Sequence, residues 1–234
     1  MKFTWIGGPS FRLELGPFIV VGDPVLAESF MLDGVQVNRH GVFQPVHVTG
    51  ADLVLVTSPR ADHFDAAGVA HCEARHVFGA DGVPGAVTPP HGGMQSLTKD
   101  GVELTITPVP GVDGAMGFFL RLMQSERPFS AYITGDALFT EHTRELQHTH
   151  GYSNLLVIHV GAERSAAGAL RSADAKEAMQ IVYRMQPNAI AAVHHSTFSH
   201  YTEPITPFID KINLTIYENR LRKLREGESF EKNI

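Results

Sequence analysis

The chain has 234 residues, 43% of them hydrophobic and 19% charged, enough to fill a substantial core and too apolar for a disordered chain. A formal net charge of −6 argues against a basic surface that coats nucleic acid. There is no run of about 18 apolar residues to span a membrane, and the stretch from Met1 to Trp5 breaks at Gly7-Gly8-Pro9 with no signal-peptide core. The single cysteine, Cys72, excludes an internal disulfide framework and a thiolate-clustered zinc site, so a reducing, cytoplasmic setting is expected.

Short strands dominate the first half. Phe11, Leu13 and Leu15 alternate with Arg12 and Glu14, the period of a half-buried strand. Phe18-Ile19-Val20-Val21 and Leu53-Val54-Leu55-Val56 are continuous apolar runs, as expected of strands covered on both faces. A short helix is expected over 65–72. Val102 to Thr107 alternates, and Gly117 to Leu122, Ala131 to Thr134 and Leu155 to Ile158 continue the strand pattern. The clearest helix is predicted from Ala173 to Gln186, with Ser172 as N-cap, Asp174 in the first turn and Pro187 beyond the end. Ala175, Ala178, Met179, Val182 and Met185 share one face of it and are expected to pack in the core. Ala189 to Val193 is a last buried strand, running into His194-His195. No repeat or linker interrupts this order, which suits layered sheets with helices outside.

The chain contains thirteen histidines. His142, His148 and His150 lie in a polar stretch that reads as a solvated helix end. His40, His47, His71, His76 and His91 have no ligand-like spacing and are expected to be structural or at the surface. The informative polar groups stand directly after apolar strands: Ser58, Arg60, Asp62 and His63 after the run ending at Thr57, Asp136 after Ile133-Thr134-Gly135, and His194 after Val193. Rigid strands hold side chains in position there. Two carboxylates and two imidazoles (Asp62, Asp136, His63 and His194) form a set suited to a divalent zinc, manganese or iron ion.

The chain resembles the metallo-β-lactamase superfamily nearly end to end, especially the branch similar to ascorbate-6-phosphate lactonase. The residues that carry the resemblance are Lys2 to Gly7, Phe11 to Glu14, Asp23-Pro24, Ala51 to Thr57, Asp62-His63-Phe64-Asp65, Thr134-Gly135-Asp136, Val160-Gly161, Ser172 to Ala175, His194 to Phe198 and Leu224 to Glu228. The resemblance implies an α+β fold, a four-layer αββα sandwich, and one domain over 1–234. It implies that Asp62, His63 and His194 match the family's second metal site and Asp136 its bridging carboxylate.

The departures fall on the first metal site. The family motif Thr-His-x-His-x-Asp-His here has Ser58 and Arg60 in place of its two leading histidines. No histidine occurs around Pro108 to Asp113, where Asp113 is the nearest candidate ligand, and Gly8 stands where many relatives have histidine. Serine is a poor zinc ligand and arginine a fixed cation. The expectation is therefore a hydrolase that uses at most one divalent metal, held by Asp62, His63, Asp136 and His194, to activate water against a small lactone, amide or phosphoester. Asp62, Arg60 and Asp136 are the candidates for chemistry, and Arg60, Ser58 and His200 for contact with a small-molecule substrate. Arg60 is expected to occupy the place of the absent first metal, paired with Asp62 and Asp136. The alternatives are an inactive small-molecule binder, or a metal-free lyase or cyclase acting through Arg60. His195 is expected on the opposite face of the strand from His194, His159 in the core, and Asp23 as a brace beneath the site. Neither nucleic acid nor membrane is expected as a partner, and a homo-oligomer is left open.

Overall fold

The computed structural model describes residues 1–41, 47–90, 93–124 and 128–233; His91 lies outside the described residues. The first half forms β1 (Lys2–Gly7), β2 (Ser10–Leu15), β3 (Phe18–Gly22), β4 (Ser29–Leu32), β5 (Val35–Asn38), β6 (Leu53–Val56), α1 (Ala66–His71) and β7 (His76–Gly79). Next come β8 (Gln95–Lys99), β9 (Val102–Pro110), β10 (Met116–Met123), β11 (Phe129–Ile133), α2 (Glu141–His150), β12 (Leu155–His159), α3 (Ala175–Met185) and β13 (Ala189–Val193). The chain closes with α4 (Thr206–Asn213), β14 (Leu221–Arg222) and β15 (Ser229–Glu231).

The strands build two mixed sheets. One has the order β15-β1-β2-β3-β6-β7, the other β14-β13-β12-β11-β10-β9-β8, and β4-β5 is a separate hairpin. Phe3, Phe11, Leu13 and Leu55 of the first sheet and Leu104, Phe118, Leu120, Ile133 and Val157 of the second form one buried cluster between them. Removing this apolar surface from water is the main force that joins the sheets.

The continuous apolar runs are covered on both faces, as their sequence predicts. In β12, Leu155 and Val157 face the inter-sheet core, while Leu156 and Ile158 meet Ala178 and Val182 of α3 and Phe208 and Ile212 of α4. The other outer face carries α1, whose C-cap Cys72 joins the core cluster. The architecture is the α+β four-layer αββα arrangement.

Helix α3 begins two residues later than expected. Asp174, not Ser172, is the N-cap: its carboxylate accepts from the amides of Lys176 and Glu177. Ser172 is held elsewhere, because Ala173 bridges to Val160 and the Ser172 hydroxyl accepts from the Glu163 amide at 2.9 Å. Strand β9 runs on through Pro108 to Pro110, past the predicted end at Thr107.

The topology gathers the candidate site residues at one edge. Strands β3, β6 and β7 run parallel to one another, as do β11, β12, β13 and β14. Asp23 follows β3, Thr57 follows β6, Asp136 follows β11 and His194 follows β13, so each stands just past the carboxyl end of a parallel strand. Such ends are the usual sites of function in α/β sheets.

If Asp174 is the cap, Asp174→Ala removes about 1 kcal/mol and lowers Tm by about 2–4 °C. Thermal unfolding that leaves Tm unchanged would contradict the assignment.

Candidate metal centre

Asp23 is fully buried at the base of the site and fixes its first imidazole. The Thr57 amide and hydroxyl each donate to its carboxylate at 2.7 Å, and His63 Nδ1 lies 2.9 Å from its Oδ2. Because the Thr57 hydroxyl donates to Asp23, Nδ1 is assigned the proton it shares with that carboxylate, which aims Nε2 into the site. Nε2 lies 3.1 Å from Asp136 Oδ2 and 3.5 Å from Asp62 Oδ2, at angles that make no hydrogen bond. A carboxylate behind one ring nitrogen is the usual support of a metal-binding histidine.

His194 ends its strand with a left-handed turn (φ 62°), and its amide donates to the Gly8 carbonyl at 2.6 Å. Its Nε2 stands 3.3 Å from Asp62 Oδ2. Two glycines make room nearby. At Gly161 (φ +118°) a Cβ would stand 2.5 Å from the His194 carbonyl oxygen, so only glycine lets the chain pass close enough to bring Glu163 in. At Gly8 (φ +56°) the Phe198 ring comes within 2.6 Å of where a Cβ would stand, so this ring fills the space a side chain would need.

Arg60 ties the carboxylates together. Its Nη1 lies 3.2 Å from Asp136 Oδ2, its Nη2 lies 3.1 Å from Asp62 Oδ2, and Nη2 also donates to Glu163 Oε1. Asp62, Asp136 and Glu163 are all buried, so three carboxylates face this one guanidinium. Arg171 reaches Glu163 only at 3.6 Å and also pairs with Asp33 and Asp113.

The charges displace the protonation equilibria. Burial disfavours the carboxylate form of Asp62, yet His63, His194, His200 and Arg60 hold its pKa well below the usual value. Asp136 is lowered in the same way, against burial, chiefly by His63. Asp23 is brought to about 2, against burial, by His63 and His159. Burial opposes the charged form of His63, but Asp136, Asp62 and Asp23 raise its pKa well above that of a free imidazole. For Glu163, burial and then the Asp62 charge outweigh Arg60 and push the pKa up. Burial lowers His194 to about 4.

Asp62, His63, Asp136 and His194 therefore converge, with Arg60 among them. Ser58 is buried beside them, and its hydroxyl accepts from the Arg60 amide at 3.3 Å. His200 lies at the rim, its Nε2 3.3 Å from Asp62 Oδ2. Asp113 does not join them: it is 65% exposed and pairs with Arg171, because the turn after β9 carries it outward. His195 leaves the site by a different route from a continuing strand, since β13 stops at Val193, and its ring packs on Trp5 with centroids 4.4 Å apart. His159 is fully buried, with Nε2 3.4 Å from Asp23 Oδ2. Sequence reasoning missed Glu163. Its signal was faint: a lone acid two residues after Gly161, with no motif around it.

A cavity of about 570 Å³ opens between β9 and α2, lined by Pro108, Pro110, Leu146 and His150. None of Asp62, His63, Asp136, Glu163 and His194 lines it.

Asp23→Ala should cost about 3–5 kcal/mol, since it strips a buried imidazole and a buried hydroxyl of their shared partner. Denaturant unfolding that shows less than about 1 kcal/mol would contradict the bracing role.

No family model matches the sequence, and no curated protein matches it significantly. Solved structures do match in shape. The structure described as a possible metal-dependent hydrolase from Veillonella parvula has a TM-score of 0.76 at 17% identity, covering 98% of each chain. That of isothiocyanate hydrolase from Delia radicum gut bacteria also scores 0.76, at 15% identity and 99% coverage of each chain. The metallo-β-lactamase fold protein YhfI from Bacillus subtilis scores 0.60 at 13% identity, covering 98% of this chain and 99% of its own. With this strand order and these likenesses, the chain has the metallo-β-lactamase fold.

Proposed function

We propose that the chain is a hydrolase that uses at most one divalent metal ion, held through Asp62, His63, Asp136 and His194, against a small lactone, amide or phosphoester. The observation that carries this reading is the set of buried atoms left without hydrogen bonds: Asp62 Oδ1, Asp136 Oδ1 and His63 Nε2. His63, Asp136 and His194 offer ligand atoms that lie within 4.8 Å of one another. Unpaired buried acceptors are costly, and three buried carboxylates around one guanidinium leave an excess of negative charge that a divalent cation offsets. The donor set suits zinc, manganese or iron. The core shared by both sheets supports reading 1–234 as one domain, and the lone, buried Cys72 fits a cytoplasmic setting.

A divalent ion bound there would supply Lewis-acid polarisation of a carbonyl or phosphoryl oxygen and activation of water. The chain's own groups do the rest. Asp62 or Asp136, held ionised, orients the attacking water as a hydrogen-bond acceptor. Arg60 presents a permanent positive charge at the place of the family's first metal and stabilises developing negative charge on the substrate. His200 and Ser58 border the approach to it. The deep burial of the acids excludes bulk water from the reacting centre.

One observation favours a metal-free reading: the Arg60 guanidinium already spans Asp62, Asp136 and Glu163. A lyase, a cyclase or a non-catalytic binder would then use Arg60 as its anion receptor.

Elemental analysis of protein purified without added metal or chelator should find at most one transition metal per chain, lost in His194→Ala. Two equivalents would contradict the proposal, and a protein that takes up no divalent metal under any condition would leave the metal-free reading in place. Arg60→Ala should lower Tm by about 4 °C or more, as three carboxylates lose their shared cation. Arg60→Lys should recover only part of this, since an ammonium lacks the planar fork. Wild-type Tm and ligand affinity in Arg60→Ala would contradict the role given to Arg60.

A further inference from the structure

Among the described residues, the most exposed large apolar side chains are Leu214, 88% exposed, and Ile216, 79% exposed, in the turn that leaves α4. Helix α4 already commits Phe208 and Ile212 to the core, so these two are apolar groups the fold does not use. Tyr183, on the solvent side of α3, is more than half exposed. Its ring meets Tyr217 edge-on, with centroids 6.0 Å apart, and a groove of about 510 Å³ runs between these two rings, Leu214 and Ile216. Single exposed apolar residues are ordinary, but two aliphatic side chains and an aromatic pair around one groove mark a contact surface. Charge of both signs rims it. Asp210 and Lys211 lie one turn before Leu214, and Glu218 and Arg220 follow Tyr217, with the Arg220 guanidinium 5.0 Å from the Tyr217 ring centroid. An anionic lipid surface or a nucleic acid would call for basic residues alone. Paired opposite charges suit a surface that meets its own copy, where each sign can face the other.

We propose that this patch is the interface of a homodimer, occupied by a second copy of the chain. In a two-fold contact the same surface serves both partners, so a protruding group must find its receptor on the same face. This patch has both. Leu214 and Ile216 protrude, and the groove beside Tyr183 and Tyr217 receives them from the partner. Tyrosine supplies a large contact area for little loss of side-chain freedom. A stable interface takes about 800 Å² from each partner, so the charged rim joins the apolar centre in the contact.

Sedimentation velocity of the full chain over a range of concentrations tests this. At tens of micromolar the wild-type protein should sediment with twice the 25.6 kDa of one chain. Leu214→Asp and Ile216→Asp each place a carboxylate in the apolar centre without touching the core, and each should weaken dimerisation by at least about tenfold. Circular dichroism is the folding control, and either variant serves if the other does not fold. A wild-type monomer at these concentrations would overturn the proposal. So would a dimer whose dissociation constant is unchanged in either folded variant, since another face would then join the copies. A wild-type monomer that floats with vesicles containing phosphatidylserine would also overturn it and assign the patch to a lipid surface.

Discussion

The site is organised by the Asp62 carboxylate, which is buried among groups that all need its charge. Its Oδ2 lies within 3.5 Å of Arg60, His63, His194 and His200. An ionised carboxylate without water is tolerated only when such partners surround it. Each partner must therefore be delivered from a different part of the chain, and the two sheets do this. Arg60 and His63 come from the turn after β6, where the amides of His63 and Phe64 both donate to the Arg60 carbonyl. His194 comes from the end of β13, and His200 from the loop beyond it. The hydrophobic interface between the sheets sets the spacing of these ends, so the core and the charge cluster are one mechanical problem.

Arg60 shows how one fold hosts different sites. The strands and turns around it follow the metallo-β-lactamase arrangement, yet a fixed cation stands among the acids. A guanidinium cannot lose its charge or exchange ligands as a metal can, but it can hold three carboxylates through its fork. The fold alone therefore does not define the chemistry. The pairing with Glu163 reinforces this, because Glu163 brings a fourth buried carboxylate to the cluster.

Much of the architecture was legible in the sequence, because continuous apolar runs such as Leu53 to Val56 and Leu155 to Ile158 have few uses other than strands covered on both faces. Asp62, His63, Asp136 and His194 could be found because each follows such a run. The short hairpin strands β4 and β5 and the edge strand β8 were not legible, since β4 and β5 have only four residues each and β8 carries a single apolar residue, Leu97. The start of α3 was misplaced because Ser172 and Asp174 are both good caps, and only the tertiary bond from the Glu163 amide to Ser172 decides between them. Asp113 looked like a ligand by position, but the turn that carries it points outward. Glu163 could not be found from local pattern, as its place depends on Gly161 passing against His194.

On the reading proposed above, this cluster of buried acids and imidazoles is a cation site. Anomalous diffraction from crystals grown with zinc or manganese, recorded at the metal's absorption edge, tests it most directly. One peak per chain is expected, within bonding distance of both Asp62 and His194. A map with no peak there, or with its strongest peak at surface histidines such as His142, would contradict it.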